Sequence, residues 1–268
     1  MLNASIVLYK HTLSEIAPLV DILNQSEVIL NIFIIDNSPS KQPEFNQLKA
    51  TYIFNDENLG YGIAHNIGIK QTINKSIPYH LVVNPDIEFK PEILSEIVSY
   101  MNNNPKIGLL MPQIVYPTGE IQYLCKLIPS PFDLIFRRFL PNSWTKKRRE
   151  KLEMRKLGYD RIMEVPYLSG CFMFLRTDAI RRVGLFDKRF FMYPEDIDLS
   201  RRIHRKFKTI YYPKVQVIHN HAQESYINTK LLFVHITNMI KYFNKWGWIF
   251  DKERRRVNKT IMNQFGKI

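Results

Sequence analysis

Residues 81–89 read LVVNPDIEF, an apolar run that stops on a proline and two acids. The run 81–83 is typical of a buried strand, and Pro85 cannot continue a hydrogen-bond ladder because it has no N–H. Asp86 and Glu88 are therefore expected just past the carboxyl end of a strand, which is where open α/β sheets bind ligands. A turn that uses Asn, Pro and Asp only for its backbone conformation is the alternative.

Similar apolar runs on both sides of this stretch alternate with helical patterns. The runs predict strands at Ser5–Tyr9, Leu30–Ile35, Tyr52–Phe54, Leu81–Val83, Gly108–Val115 and Thr209–Ile218. The helical patterns cover Ser14–Gln25, Gly62–Asn74, Pro91–Asn103, Thr177–Val183 and Glu195–Lys206. Strands separated by helices indicate βαβ units and a mostly parallel sheet.

The composition limits the kind of partner. The chain has 268 residues, 45% of them hydrophobic, which is enough for one large α/β domain or two small ones. Its formal charge of +13 points to an anionic partner: nucleic acid, a membrane surface or a phosphorylated small molecule. Cys125 and Cys171 have neither metal-ligand spacing nor a disulfide framework, and the N-terminal run resembles a first strand more than a signal peptide. We expect a soluble or peripheral protein of a reducing cytosol.

Two regions depart from the regular pattern. Pro117–Pro166 is rich in aromatic, proline and basic residues, and we interpret it as an insertion or lid. The tail from Asn228 onwards is helical in pattern and keeps one face apolar, through Leu232, Ile236, Ile240, Phe243 and Phe250. This stripe, with Trp246 and Trp248 beside it and basic residues around it, could lie on an anionic membrane or pack on the domain.

Candidate ligand-binding residues also follow earlier strands. Asp36 ends the run IFIID, where its carboxylate could accept the imide N–H of a uracil or thymine ring or form an Asx turn. In NDENLGYGIAHNIG, Asn58 and Gly60 precede a helix, where glycine lets the backbone approach a ligand. The glycine spacing does not match a dinucleotide or phosphate-loop fingerprint.

A cluster of acids opens the helix predicted at residue 195. Glu195, Asp196 and Asp198 are more acids than a helix start requires, although the helix dipole favours carboxylates there. An aromatic stretch precedes them, and such surroundings can tune a carboxylate for base catalysis.

Two histidines, His219 and His221, follow the last predicted strand. A histidine is more often structural than a ligand. Imidazole together with the carboxylates of Asp86 and Glu88 would nevertheless suit Mg or Mn.

The order of these motifs resembles the family 2 glycosyltransferases, and within them the bacterial rhamnosyltransferases of surface-polysaccharide (O-antigen or capsule) assembly. The motifs are D-N-S after the second strand, N-P-D after the middle strand, the long run V-G-x-F-D-x-x-F-F-x-Y-x-E-D-x-D-L-x-x-R that begins at Val183, and a later V-x-x-H. The resemblance runs from about Ala4 to Ser225 and implies a GT-A fold, a Rossmann-like α/β unit with a mostly parallel central sheet and a C-terminal helical extension.

The resemblance also implies a division of the chain. The catalytic domain would cover 1–226, and a basic amphipathic tail would cover 227–268. Within the domain, 1–116 would bind the nucleotide sugar, 117–166 would be the insertion, and 167–226 would face the acceptor.

The family's donor-binding residues have counterparts here. Asp36 would contact the pyrimidine, with Asn58 and Gly60 near the nucleoside. Asp86 would bind the metal and the diphosphate, with Asn84 standing where the family's D-x-D motif has its first acid.

The remaining implied roles belong to the base and to the metal. Asp196 would be the general base, and Asp198 with Arg201 or Arg202 would orient it or the diphosphate. His219 would be the C-terminal metal ligand and His221 its rival, with Glu88 and Glu195 in supporting positions.

The implied reaction is inverting transfer of a sugar with the help of Mg or Mn. L-rhamnose from dTDP-L-rhamnose is the donor expected, with a UDP-hexose such as UDP-Gal or UDP-Glc as the alternative. The acceptor would be a lipid-linked oligosaccharide at the cytoplasmic membrane face. A nucleic-acid-binding module, suggested by the basic stretch Arg137–Arg149, or a glycan-binding protein without catalysis would leave the acids at 195–198 without a role.

Overall fold

The structure, a computed structural model, describes residues 1–135, 140–220 and 229–264. Its strands are β1 (Leu2–Leu8), β2 (Ile29–Asp36), β3 (Thr51–Phe54), β4 (Tyr79–Val83), β5 (Ile87–Glu88), β6 (Ile107–Val115), β7 (Cys125–Lys126), β8 (Met163–Glu164), β9 (Tyr167–Leu168), β10 (Phe172–Arg176) and β11 (Lys208–His219). Its α-helices are α1 (Leu13–Gln25), α2 (Tyr61–Asn74), α3 (Glu92–Asn103), α4 (Pro131–Leu134), α5 (Asn142–Leu152), α6 (Thr177–Val183), α7 (Glu195–His204), α8 (Thr229–Trp246) and α9 (Lys252–Asn263).

Nine of the described strands form one large sheet in the order β3-β2-β1-β4-β10-β6-β11-β5, with β8 also paired to β11, and β7 pairs with β9 in a separate two-stranded sheet. The first four strands are parallel to one another, and β6 is parallel to β11. Strand β10 runs antiparallel between β4 and β6. The predicted α/β alternation is confirmed, and the predicted strands and helices differ from the observed bounds by a few residues at most.

Helices cover the sheet because each has one apolar face. In α3, Leu94, Ile97, Val98 and Met101 are buried at spacings of three and four residues. Every residue of β4 is buried, as expected for a central strand that is covered on both faces.

The reversal of direction at β10 brings two distant segments together. The N–H of Asn84, just past β4, donates to the carbonyl of Cys171, just before β10, at 2.9 Å. The N-P-D segment therefore lies beside the Ser169–Cys171 segment at one edge of the sheet, and this edge holds the candidate site.

The segment predicted as an insertion or lid is part of the core. It contributes β8 to the sheet and buries Leu127, Tyr159 and Val165. Its irregular sequence reflects short elements that depend on tertiary contacts, and residues 136–139 within it lie outside the described part.

The tail packs on the domain through part of its predicted stripe. Phe243 is buried with Met239 and Tyr242 against Phe190 and Ile197, but Ile240 and Phe250 are exposed. The tail also breaks into two helices at Gly247, whose φ of +97° suits glycine. Among the described helices, none is long and apolar enough to cross a bilayer.

Candidate active site

Asp86 and His219 meet where β4 and β11 end and β5 begins. The Nε2 atom of His219 lies 3.3 Å from Oδ2 of Asp86. The Nδ1–H of His219 donates to Oε1 of Gln122 at 2.9 Å, which fixes the ring and leaves Nε2 toward the carboxylate. The N–H of Asn220 donates to the carbonyl of Asp86 at 2.9 Å and holds the two segments together.

This pair is suited to a divalent cation that is shared with a substrate. In the described part of the chain, no group of three or more His, Cys, Asp and Glu side chains converges as a complete metal site. Mg²⁺ is typically bound by one or two protein carboxylates together with substrate phosphates and water, and Mn²⁺ accepts imidazole as well. Asp86 and His219 fit such a partial ligand set.

The two other predicted metal candidates are not part of this pair. Glu88 is exposed and accepts a hydrogen bond from the Asn220 amide at 2.7 Å, and His221 lies outside the described residues.

Tyr61, the first residue of α2, connects the N-P-D segment to the segment before β10. Its hydroxyl lies 2.9 Å from Oδ1 of Asn84 and 2.8 Å from the carbonyl of Gly170, and it can donate to either. Asn84 therefore contributes a bridge to neighbouring protein groups and not a second metal-binding acid.

Asp196 lies in the first turn of α7 with its carboxylate fixed by three donors. Oδ2 accepts from the N–H of Gly170 at 2.9 Å and from the hydroxyl of Tyr167 at 3.3 Å, and Oδ1 accepts from the N–H of Ile197 at 2.7 Å. The packing at Gly170 is close, since a Cβ there would lie 3.3 Å from Cβ of Asp196.

Burial raises the pKa of Asp196, and it raises the pKa of Glu195 with help from the negative charge of Asp196. These two carboxyl groups are almost fully buried and form no ion pair with any described residue. Lys126 on β7 partly offsets the shift at Asp196, because its positive charge lowers that pKa. A carboxyl group with a raised pKa is suited to accept a proton near neutral pH.

Asp86, which follows strand β4, and Asp196, in helix α7, both lie close enough to Tyr61 to affect its phenol. Burial raises the pKa of the Tyr61 phenol, and the charges of Cys171, Glu195, Asp196 and Asp86 raise it further. The structure therefore brings together at one sheet edge two of the predicted groups, Asp86 with His219 and Asp196 with Glu195.

The residues predicted to contact the nucleoside have partners within the protein. Asp36 is fully buried, and its carboxylate accepts from the Ser38 N–H at 2.9 Å and from the Tyr52 hydroxyl at 2.7 Å, so the Asx-turn alternative is present. A Cβ at Gly60 would lie 2.2 Å from the carbonyl oxygen of Phe191, so the close approach there is to protein backbone.

Asn58 belongs to the same network. Its Oδ1 accepts from the N–H of Gly60 at 3.0 Å and from the side chain of Asn37 at 3.3 Å. This arrangement links the loop after β2 to the start of α2.

The guanidinium of Arg201, which was predicted to bind the donor, binds carboxylates of the protein in this structure. Arg201 is 2% exposed and binds both carboxylate oxygens of Asp251 at 2.7 Å, and it also contacts Glu253 at 2.6 Å. It thereby anchors the start of α9 to α7.

Arg202 and Asp198 likewise bind other protein groups. Arg202 donates to the carbonyls of Val183, Gly184 and Leu185 and to Asp198 at 2.8 Å. Asp198 is fully buried and also accepts from Trp246 Nε1 at 2.8 Å. Their role as orienting groups of the base or the diphosphate stays a prediction.

The sequence analysis did not identify Tyr61, Lys126 or Gln122. Tyr61 lies inside the glycine-rich motif and was available as a candidate, but its partner Gly170 is 109 residues away. Lys126 and Gln122 lie in the irregular segment 117–166 and match no motif, so no local pattern could have selected them.

Comparison with known proteins identifies a family for this chain. The sequence model of the family described as Glycosyl transferase family 2 matches residues 6–184. A curated relative from Mycobacterium tuberculosis, N-acetylglucosaminyl-diphospho-decaprenol L-rhamnosyltransferase, is 31% identical over 63% of this chain and 58% of its own length. The rhamnosyltransferase WbbL of Escherichia coli K12 is 26% identical over 75% of this chain and 76% of its own length.

Solved structures share the fold at low sequence identity. GalNAc-T7 with UDP, GalNAc and Mn²⁺ superposes with a TM-score of 0.64 and 15% identity, covering 91% of this chain and 48% of that one. The mannosyltransferase PcManGT of Pyrobaculum calidifontis with GDP-Man and Mn²⁺ gives 0.58 and 13%, covering 91% of this chain and 63% of that one. The fold of this chain is the GT-A fold.

Proposed function

Because the chain belongs to glycosyl transferase family 2, we propose that it transfers a sugar from a nucleoside diphosphate sugar, with inversion at the anomeric carbon. The observation that carries the proposal is a buried carboxylate with a raised pKa, Asp196, at the same sheet edge as Asp86 and His219. A base and a diphosphate site are the two parts that this reaction needs.

In the proposed reaction, Asp196 accepts the proton of the acceptor hydroxyl while that oxygen attacks the anomeric carbon. The bond from this carbon to the donor diphosphate breaks in the same step, so a single displacement inverts the centre. A bound Mg²⁺ or Mn²⁺ would neutralise charge on the departing diphosphate. Asp86 and His219 would hold that cation, while Gly170 and Tyr167 keep the base in position.

For the donor, we propose dTDP-L-rhamnose. Two relatives, one from Mycobacterium tuberculosis and one from Escherichia coli, carry rhamnosyltransferase names. A further relative from Haloferax volcanii is named as a hexosyltransferase, at 23% identity, which keeps a UDP-hexose donor as the alternative.

For the acceptor, we propose a lipid-linked glycan of bacterial surface-polysaccharide assembly, presented at the cytoplasmic face of the membrane. The name of the mycobacterial relative includes a diphospho-decaprenol acceptor. The domain division proposed is a catalytic unit over 1–226 and a tail over 227–268 that makes peripheral contact with the bilayer.

The experiment is release of nucleotide from dTDP-rhamnose, UDP-Gal, UDP-Glc and GDP-Man by the purified chain, with Mg²⁺, with Mn²⁺ and with EDTA. Cation-stimulated release of dTDP alone would support the whole proposal. Release of UDP alone would keep the mechanism and overturn the sugar. No release from any donor, with a lipid-linked acceptor present, would overturn catalysis.

A further inference from the structure

The connection between α8 and α9 exposes adjacent apolar side chains. Ile249 is 66% exposed and Phe250 is 83% exposed, directly after the turn at Gly247. The neighbouring Trp248 is partly exposed, and its Nε1 donates to Asn244 one turn earlier. Adjacent large apolar side chains that project from a surface indicate an interaction site.

Helix α9 carries a row of cations beside these side chains. Lys252, Arg255, Arg256 and Lys259 recur at spacings of three, one and three residues, which keeps them on one face, and all four are exposed. Within the described residues, none of the four forms an ion pair.

The opposite face of α9 is fixed to the domain. Ile261 and Arg254 are buried, and the side chain of Asn258 exchanges two hydrogen bonds of 2.9 Å with the backbone of Ile128. Arg201 holds the residues before and within the first turn, Asp251 and Glu253. The cations are therefore displayed on a rigid helix, and the acids nearest to them are already neutralised.

We propose that the basic tip, defined as Ile249, Phe250 and the four α9 cations, docks on an anionic lipid bilayer. The two apolar side chains would enter the boundary between headgroups and acyl chains, and the cations would contact lipid phosphates. This surface shares only Phe250 with the apolar stripe predicted from the sequence, and the stripe residue Phe243 is buried inside the protein. A bilayer suits the tip better than a nucleic acid does, because aliphatic Ile249 offers no stacking face.

The proposal deepens the proposed function, because a lipid-linked acceptor lies at such a surface, but its test needs no sugar transfer. The full chain is sedimented with vesicles of equal parts phosphatidylglycerol and phosphatidylcholine, and with vesicles of phosphatidylcholine alone. We expect binding to the anionic vesicles only, accompanied by a blue shift of tryptophan fluorescence.

Two variants separate the contributions of charge and apolar contact. Each cation near an anionic surface strengthens binding by roughly fivefold. Neutralising all four, as K252Q/R255Q/R256Q/K259Q, should therefore weaken vesicle binding by several hundredfold. The variant I249S/F250S keeps the charge and should weaken binding by at least about tenfold. Both sets of side chains are exposed, so thermal unfolding should be unchanged.

The matched control removes the same number of charges from other surfaces. Lys49, Lys70, Lys75 and Lys106 are exposed, and K49Q/K70Q/K75Q/K106Q should bind vesicles within about threefold of the parent chain, because charges away from the contact are screened. Equal losses in the control and in the α9 variant, no binding by the parent, or binding to duplex DNA in place of vesicles would overturn the proposal. Nucleotide release from a soluble donor, measured on the same variants, should be unchanged, which distinguishes failure of docking from failure of the proposed catalysis.

Discussion

Neighbouring buried acids in the first turn of helix α7 differ in whether their charge is paired. At the first turn, Glu195 and Asp196 are buried, form no ion pair with described residues and have raised pKa values. Two residues later Asp198 is equally buried, but it pairs with Arg202 and Lys245. A buried charge that is left without an ion pair lowers stability and is available for chemistry, whereas a paired charge holds elements together. One sequence motif therefore contains both a candidate base and a structural anchor.

The largest effect expected from this contrast is on activity. Asp196→Asn keeps the shape of the side chain but removes the base, so turnover should fall about 100- to 10,000-fold. The fold should be retained, because the variant removes a carboxylate that is unfavourable to bury. Nucleotide release and thermal unfolding, measured together, test this expectation.

Asp198→Asn is the matched control, the same change two residues along the helix. It should lower the unfolding temperature, because it weakens the pairs with Arg202 and Lys245. Full activity in the Asp196 variant would contradict its assignment as the base. An equal loss of unfolding temperature in the Asp196 and Asp198 variants would contradict the proposed difference between an unpaired and a paired buried acid.

The role of Arg201 in the last turn of α7, which is to anchor α9, is tested through the free energy of unfolding. Arg201→Met leaves the buried carboxylate of Asp251 without its partner, which should cost about 3–5 kcal/mol in the free energy of unfolding. Arg205 contacts the same Glu253 and the same Trp246 ring but is 49% exposed, so Arg205→Met should cost about 1 kcal/mol or less. Thermal and urea unfolding of the two variants give the comparison, and equal losses would contradict the role assigned to Arg201.

A smaller effect is expected from the link between the two acidic groups. Tyr61→Phe removes the hydroxyl that contacts Asn84 and Gly170 and keeps the ring against His65. One hydrogen bond contributes about 0.5–1.5 kcal/mol, so kcat should fall roughly threefold to tenfold, with a smaller change in KM. Tyr79→Phe removes a hydroxyl bonded to Asn102 at the other edge of the sheet and should leave kcat unchanged. Equal values for the two variants would show that Tyr61 does not position the site.

The sequence was sufficient for the family and for the fold, because both depend on local patterns. The family match and the GT-A neighbours confirm the resemblance drawn from the N-P-D and E-D-x-D motifs. Residues 81–83 form the end of the central strand β4, and Asp86 lies just beyond it, as predicted.

Partners distant in the sequence explain most of what the patterns missed. Arg201 was grouped with the donor-binding residues because it lies in the motif, but its partner Asp251 is 50 residues away. Gly60 was interpreted as a ligand contact, while the backbone that it approaches is that of Phe191. A motif identifies residues that matter, and only tertiary contacts separate those that react from those that hold the helix.

The smallest effect expected concerns Glu195 and the pH dependence of stability. Its pKa is raised in the folded chain, so the folded state binds more protons than the unfolded state between the ordinary value of 4.5 and the raised one. Stability should therefore fall as the pH rises through that window. Glu195→Gln removes this titration, so the variant should gain stability relative to the parent as the pH rises, and the difference should be constant below about 4.5. The slope of unfolding temperature against pH is the diagnostic, because a buried amide adds a constant offset. Parallel slopes for parent and variant would mean that Glu195 is paired in the folded protein, and the contrast with Asp198 would then rest on Asp196 alone.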